Sequence, residues 1–278
     1  MEKSNERESL VITTTGKVDP TAVVRRVRGR EAANEIADLT DAESNRLGTE
    51  GAAALLKELC KRLDLDATMK PYFETDGIKI YHDDCAKVLP LLEDYDMLLT
   101  DPPYGIGDMF DRANPRYRWS MEDRTARREW DKSPPPDWLL KMAIDKSKYA
   151  VIWGGNYFNL PPCRCFLIWA KPEKETWFSL ADAEFAWTNV DHVARICSCE
   201  RRETNAKHPT QKPLKLMRWC LHRKHPWGGD VNTVVDPFMG SGTTLVACQR
   251  EGMSAIGIEQ NEEYCEMAAG RLEQKQLF

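Results

Sequence analysis

The sequence predicts an α/β protein: a doubly wound, mostly parallel sheet preceded by a partly helical N-terminal extension. Three observations carry this prediction. From Gly77 onward, short apolar runs with strand character alternate with helical patterns. A glycine-rich turn, Gly240-Ser241-Gly242, joins one of these strands to the helix after it. A rigid acidic and aromatic corner, Asp101-Pro102-Pro103-Tyr104, closes another strand. Open α/β sheets place their ligands in that position, outside the carboxyl ends of the strands.

The elements follow in order. Residues 1–20 are polar and read as loose chain, and Val23 to Arg30 reads as a short basic strand or arm. Asp41 to Leu65 reads as helical, with Leu55, Leu56, Leu59 and Leu63 on one face and Asp41 or Ser44 as the cap. These segments make up an extension, 1–70, that carries no visible chemistry. In the domain that follows, 71–278, Ile78–His82 is a strand and Cys85–Leu89 a short helix ended by Pro90. Met97–Thr100, Tyr149–Trp153, Cys165–Ala170 and Glu184–Trp187 are strands, and Leu214–His222 is a helix. The strand Thr233–Asp236 leads into the helix Thr243–Arg250, and the strand Ser254–Glu259 into a terminal helix, Glu262–Lys275.

The bulk numbers narrow the function classes. None of the apolar runs in the 278 residues approaches the ~18 that a membrane span needs, and Met1–Arg7 lacks the apolar stretch of a secretory signal. A soluble cytoplasmic protein is expected. The nine cysteines are odd in number and irregularly spaced, as in a reduced chain. Cys163, Cys165, Cys197 and Cys199 form C-x-C pairs rather than the C-x2-C of zinc knuckles, so they read as packing and no metal is expected. A net charge of −5 argues against indiscriminate nucleic-acid coating. The charge is nevertheless uneven: Arg195 to Lys224 holds nine Lys/Arg and two acids, and Arg112 to Arg128 holds six Arg and two acids. Local basic patches on an acidic protein suit an enzyme that binds DNA or RNA and must release it.

Asp236-Pro237-Phe238-Met239-Gly240-Ser241-Gly242-Thr243-Thr244 is not a phosphate-binding P-loop, because the lysine and spacing of that motif are missing. The helix behind it offers free N–H groups to an anion such as a carboxylate. Glu259, at the end of the next strand, is placed to accept hydrogen bonds from ribose hydroxyls. A nucleoside carrying an amino-acid carboxylate, S-adenosylmethionine, fits both requirements. At the other corner, two prolines fix the backbone and leave carbonyls free as acceptors beside the Asp101 carboxylate and the Tyr104 ring. That set suits a planar, amine-bearing group.

With these residues in view, the chain resembles the amino-directed DNA methyltransferases, and among them N6-adenine enzymes of the circularly permuted order. In that order the catalytic motif precedes the cofactor loop, as it does here. The resemblance covers roughly residues 77–272. It rests on Asp101–Tyr104, Asp236–Thr244, His208-Pro209-Thr210-Gln211-Lys212-Pro213 and Trp153-Gly154-Gly155-Asn156-Tyr157-Phe158. The last string resembles phage and prophage members. N4-cytosine relatives more often carry Ser where this chain has Asp101.

The resemblance implies a seven-stranded sheet of the S-adenosylmethionine-dependent type and a set of roles. Asp101, Pro102, Pro103 and Tyr104 are the catalytic set, with Tyr104 stacking on a base flipped out of duplex DNA. Asp236, Phe238, Gly240, Ser241, Gly242, Thr243 and Glu259 bind the cofactor, with Lys212 on the methionine side. Asp84 lies near the cofactor adenine, although the pair Asp83-Asp84 leaves open which of the two makes contact. Target recognition falls to insertions near 105–137 and 171–207. Their DNA-contact candidates are Arg112, Arg116, Arg118, Arg124, Arg127, Arg128, Arg201, Arg202 and Lys207. Double-stranded DNA is the expected partner of a monomer or homodimer in a bacterial or phage-infected cell. A restriction endonuclease partner is compatible with the sequence but not indicated by it. The competing readings are N4-cytosine methylation, RNA or protein amino-group methylation, and a catalytically silent DNA-binding module.

Overall fold

The computed structural model describes residues 70–107, 131–171, 181–200, 211–222 and 230–274. The chain divides into two units, Met1–Met69 with Pro90–Leu92 and Lys70–Leu89 with Glu93–Phe278, and the second carries the elements below. The N-terminal strand and helix readings fall outside the described residues, as do all nine DNA-contact candidates and His208–Thr210.

In chain order the elements are β1 (Phe73–Thr75), β2 (Ile78–His82), α1 (Cys85–Val88), β3 (Tyr95–Thr100), α2 (Asp137–Asp145), β4 (Ser147–Trp153), β5 (Phe166–Ala170), β6 (Ala183–Thr188) and β7 (Arg195–Ser198). They continue with α3 (Leu214–Leu221), β8 (Thr233–Asp236), α4 (Thr243–Arg250), β9 (Ser254–Glu259) and α5 (Glu262–Glu273). All the strands join one sheet of order β1-β2-β9-β8-β3-β4-β6-β5-β7.

The expected seven-stranded sheet is corrected to nine strands among the described residues. The seven strands expected from the sequence form the contiguous interior of that order, and the two extra strands, β1 and β7, are its edges. Neither edge strand has the apolar run that marks a buried strand. β1 is a three-residue hairpin partner of β2 across the positive-φ turn Asp76-Gly77. β7 reads Arg-Ile-Cys-Ser and pairs on one side only, with β5. Strands β2, β9, β8, β3 and β4 are parallel, whereas β6 runs antiparallel to both β4 and β5.

Burial explains the strand sequences. Leu98, Leu99, Val151, Ile152 and Trp153 are all fully buried. Runs apolar on both faces suit parallel strands covered on both sides. On one face Met97, Leu99, Val151 and Val234 join a core with Leu216, Met217 and Cys220 of α3, Leu245 and Cys248 of α4, and Cys265, Ala268 and Leu272 of α5. α2 packs against β4, burying Trp138, Leu139, Leu140 and Met142. Among the described residues no cysteines are joined in a disulfide, and all but Cys163 are buried, so they serve as small apolar residues.

The chain winds outward from the junction of β3 and β8. From β3 it moves to β4 on one side, and from β8 to β9 on the other. Adjacent parallel strands whose connections diverge leave a crevice at their carboxyl ends, the usual ligand position in open α/β sheets. Asp101 directly follows β3 and Asp236 ends β8, so the topology brings the two sequence motifs together.

Candidate functional site

One cleft is lined by both motifs. Asp101 faces it from β3. Asp236, Phe238, Met239, Gly240, Ser241, Thr243 and Thr244 face it from the β8–α4 turn, and Gln211, Lys212, Met217 and Tyr264 complete the wall. The structure therefore brings most of the predicted cofactor residues against the predicted catalytic acid.

The glycine turn is fixed from beneath. Asp236 is buried and accepts from Thr100 Oγ1 at 2.7 Å, Thr244 Oγ1 at 2.6 Å and the Phe238 N–H at 3.2 Å. These bonds tie the end of β8 to the end of β3 and to the first turn of α4, so Asp236 acts by holding the loop. Gly242 is the N-cap of α4, with φ +76° and no side-chain cap bond. A β-carbon there would lie 2.6 Å from Ala268 Cβ. Glycine thus supplies both the left-handed turn and the close approach of α5. The first-turn N–H groups of α4 are left for a ligand anion. Arg271 on α5 donates to Ser241 O at 2.6 Å and to Thr243 Oγ1 at 3.1 Å, adding positive charge behind the same turn. Nothing in the sequence marks Arg271, which meets the loop only through the tertiary fold.

Burial pushes the Asp236 carboxyl up to about 6, against an ordinary value of 3.8, although three donors pull the other way. The folded state therefore binds a proton more tightly than the unfolded chain between these two values, and stability falls as pH rises through that window. The group's contribution is about 3 kcal/mol. Asp236→Asn is expected to remove this slope. Urea titrations at pH 4 and pH 7 should show wild type losing stability relative to the variant on going to pH 7.

Glu259 stands at the end of β9, accepting from the Gly240 N–H at 3.1 Å and the Asn261 N–H at 2.8 Å. Its carboxylate supports the glycine loop and keeps lone pairs for further donors. Asp84 turns back to cap α1, accepting from the Ala86 N–H at 2.8 Å, while Asp83 pairs with Lys87 Nζ at 3.1 Å.

The acidic corner is more elaborate than the sequence suggested. Asp101 Oδ1 accepts from the Tyr104 hydroxyl at 2.6 Å, and Asp101 Oδ2 pairs with Lys212 Nζ at 2.5 Å. Lys212 is also 3.2 Å from Glu184 Oε2, and Glu184 pairs in turn with Lys171. An alternating ladder, Lys171–Glu184–Lys212–Asp101, thus runs from β6 into the cleft. Burial alone would lower the Lys212 pKa, but Asp101 and Glu184 hold it well above the ordinary lysine value. Burial alone would raise Glu184, yet Lys212 and Lys171 bring it down to about 2. Lys212, expected on the cofactor side, lines the cleft and spends its charge on Asp101.

The Tyr104 ring stacks on Tyr157 with centroids 4.8 Å apart and 12° between planes, and meets Phe158 edge-on at 6.1 Å. Tyr157 is 47% exposed. Both partners follow Gly154-Gly155, which explains the Trp153–Phe158 string in contact terms. Gly154 has φ +68°, and a β-carbon there would lie 2.1 Å from Tyr104 Cε1. Gly154→Ala is therefore expected to displace the Tyr104 ring. Loss of turnover with retained cofactor binding, measured by calorimetry and single-turnover assay, would show it. A misplacement of about 1 Å can cost about 10²-fold in rate.

Among the described residues no group of three or more His, Cys, Asp or Glu is arranged to hold a metal ion. No helix among them is long and apolar enough to cross a membrane.

The chain resembles known proteins. Residues 168–270 match a family model described as DNA methylase (N6_N4_Mtase). The chain is 23% identical over 271 residues to the Type II methyltransferase M.ScaI of Streptomyces caespitosus, covering 73% of this chain and 84% of that protein. It is 25% identical over 257 residues to the Type II methyltransferase M2.MboI of Moraxella bovis, covering 73% and 91%. Among solved structures, the PvuII DNA methyltransferase (cytosine-N4-specific) shares the fold with a TM-score of 0.50, at 18% identity, over 76% of this chain and 91% of that one. The family model and the Type II relatives support an amino-directed DNA methyltransferase, and the matched model spans both N6 and N4 chemistry.

Proposed function

We propose that the chain transfers a methyl group from S-adenosylmethionine to the exocyclic N6 amine of an adenine flipped out of duplex DNA, within a specific short sequence. The observation that carries this reading is the shared cleft: the Asp101 carboxylate and the Gly240–Thr243 turn line one space.

The residues present fit the cofactor. The uncapped first turn of α4, backed by Arg271, suits its carboxylate. Glu259 has lone pairs for ribose hydroxyls. Met217, Phe238 and Met239 supply apolar wall. When bound, the cofactor provides a methyl carbon already made electrophilic by its sulfonium.

What remains for the protein is to prepare the nucleophile. The lone pair of an adenine amine is delocalised into the ring. Asp101 and the Pro102 carbonyl accept hydrogen bonds from the two amine N–H groups, favouring a pyramidal nitrogen whose lone pair points at the methyl. The same acceptors stabilise the positive charge that develops on nitrogen. Alignment in the cleft supplies much of the remaining acceleration. The proton is lost to Asp101 or water after transfer, with no covalent enzyme intermediate.

A duplex hides N6, so the base must leave the stack. Tyr104 is its stacking platform, and base–aromatic stacking of about 1–3 kcal/mol offsets much of the unstacking. Tyr157 covers one face of that ring in the structure, so a base stacking there takes its place. Asp at position 101, where N4-cytosine relatives more often have Ser, favours adenine. Long-read modification mapping of DNA from cells expressing the chain tests the proposal. Methylated adenine in a fixed short context is expected, and methylated cytosine N4 at such a context would replace the adenine assignment.

A further inference from the structure

We infer that Asp131 is the positioning residue of the acidic corner: its carboxylate holds the backbone of Tyr104 and Gly105, and with it the catalytic set. The inference rests on the proposed reaction for its functional meaning, and on geometry for its existence. Asp131 is 1% exposed. Its Oδ1 accepts from the Tyr104 N–H at 2.5 Å and from the Gly105 N–H at 2.8 Å. The Gly107 N–H donates to the Asp131 main-chain carbonyl at 2.9 Å. The N–H groups of Tyr104, Gly105 and Gly107 therefore all end on one residue.

The need for such a residue follows from the sequence. Pro102 and Pro103 have no N–H, so the corner cannot brace itself with its own turn hydrogen bonds. Gly105 has φ +74°, which turns consecutive N–H groups toward one side. Such concave arrays of N–H groups bind anions, and here the anion is a carboxylate of the same chain. Asp131 is not among the residues lining the cleft, so it acts through Tyr104 rather than by touching cofactor or base. The Tyr104 hydroxyl in turn holds Asp101. Displacing Asp131 therefore shifts both catalytic side chains together.

The test compares full-length wild type, Asp131→Ala and Asp131→Asn. Asn keeps the Oδ1 acceptor that receives two of the N–H groups, and loses only the charge. Hydrogen exchange of the 101–107 peptide reads the brace without any turnover. Single-turnover methyl transfer to duplex DNA reads its consequence, and calorimetry reads cofactor binding. In Asp131→Ala the Tyr104 and Gly105 amides are expected to exchange faster. Its transfer rate should fall about 10²-fold, the scale of a 1 Å misplacement, with cofactor affinity unchanged. Asp131→Asn should keep slow exchange and a rate within an order of magnitude of wild type. Unchanged exchange in Asp131→Ala overturns the inference, as does an Asp131→Asn protein that fails to fold or loses its rate along with Asp131→Ala. If Asp131→Ala does not fold, slow exchange and retained rate in Asp131→Asn still support the acceptor role. Should wild type methylate no duplex while the exchange pattern holds, the functional proposal fails and the brace stands.

Discussion

Asp101→Ala is expected to lower methyl transfer by about 10³-fold, the upper range for removing one preorganised polar group at a reacting centre, while cofactor binding is largely kept. The cofactor's carboxylate and ribose are assigned to the α4 first turn and Glu259, and neither contact involves Asp101. The reacting amine loses its charged acceptor, so the effect falls on kcat rather than on binding. Asp101→Asn sharpens the test. It keeps the shape and an oxygen for the Tyr104 hydroxyl, yet places an NH2 donor where the amine or Lys212 needs an acceptor. A single-turnover assay with labelled methyl donor, beside calorimetric titration of the cofactor, separates the two effects.

The second large effect is on stability. Lys212→Met removes the cation shared by Asp101 and Glu184, leaving Asp101 with only the Tyr104 hydroxyl and Glu184 with only Lys171. Breaking a buried ion pair on one side costs about 3–5 kcal/mol, and here one lysine serves two acids. The pH dependence carries a sign that distinguishes this cause from a packing defect. Glu184 is held at about 2 in the folded protein against an ordinary 4.5. Its stabilisation, about 3 kcal/mol, is present above 4.5 and is lost as pH falls toward 2. The loss caused by Lys212→Met should accordingly be largest at neutral pH and shrink on acidification. Urea titrations from pH 7 to pH 3 read this directly, and a penalty independent of pH would assign the loss to packing.

The ladder and the Asp131 brace show what the sequence could not disclose. Asp101–Tyr104 and the 236–244 turn are legible because their chemistry is local. Each is a run of neighbouring residues at the end of an apolar strand, and topology does the rest. The seven interior strands are legible for the same reason, since burial on two faces demands apolar runs. Edge strands β1 and β7 escape because a strand paired on one side needs no such run. Lys212 lies 111 residues from Asp101, and Asp131 lies 27 from Tyr104. Neither pairing leaves a periodicity or spacing to read. Glu184 shows only as the start of a strand, yet that strand's antiparallel course beside β4 is what delivers its carboxylate to Lys212. Asp131 falls within the stretch read as a recognition insertion, where an acid among arginines draws no notice. One signal was available: two prolines followed by a positive-φ glycine leave consecutive N–H groups in need of an acceptor, though not which residue provides it.

The most direct measurement is transfer of an isotopically labelled methyl group from S-adenosylmethionine to duplex DNA, followed by digestion and mass spectrometry of the nucleosides. The account predicts label on N6-methyldeoxyadenosine with the wild-type chain, formed about 10³-fold more slowly with Asp101→Ala. Label on a ring carbon such as cytosine C5, or undiminished N6 label with Asp101→Ala, would contradict it.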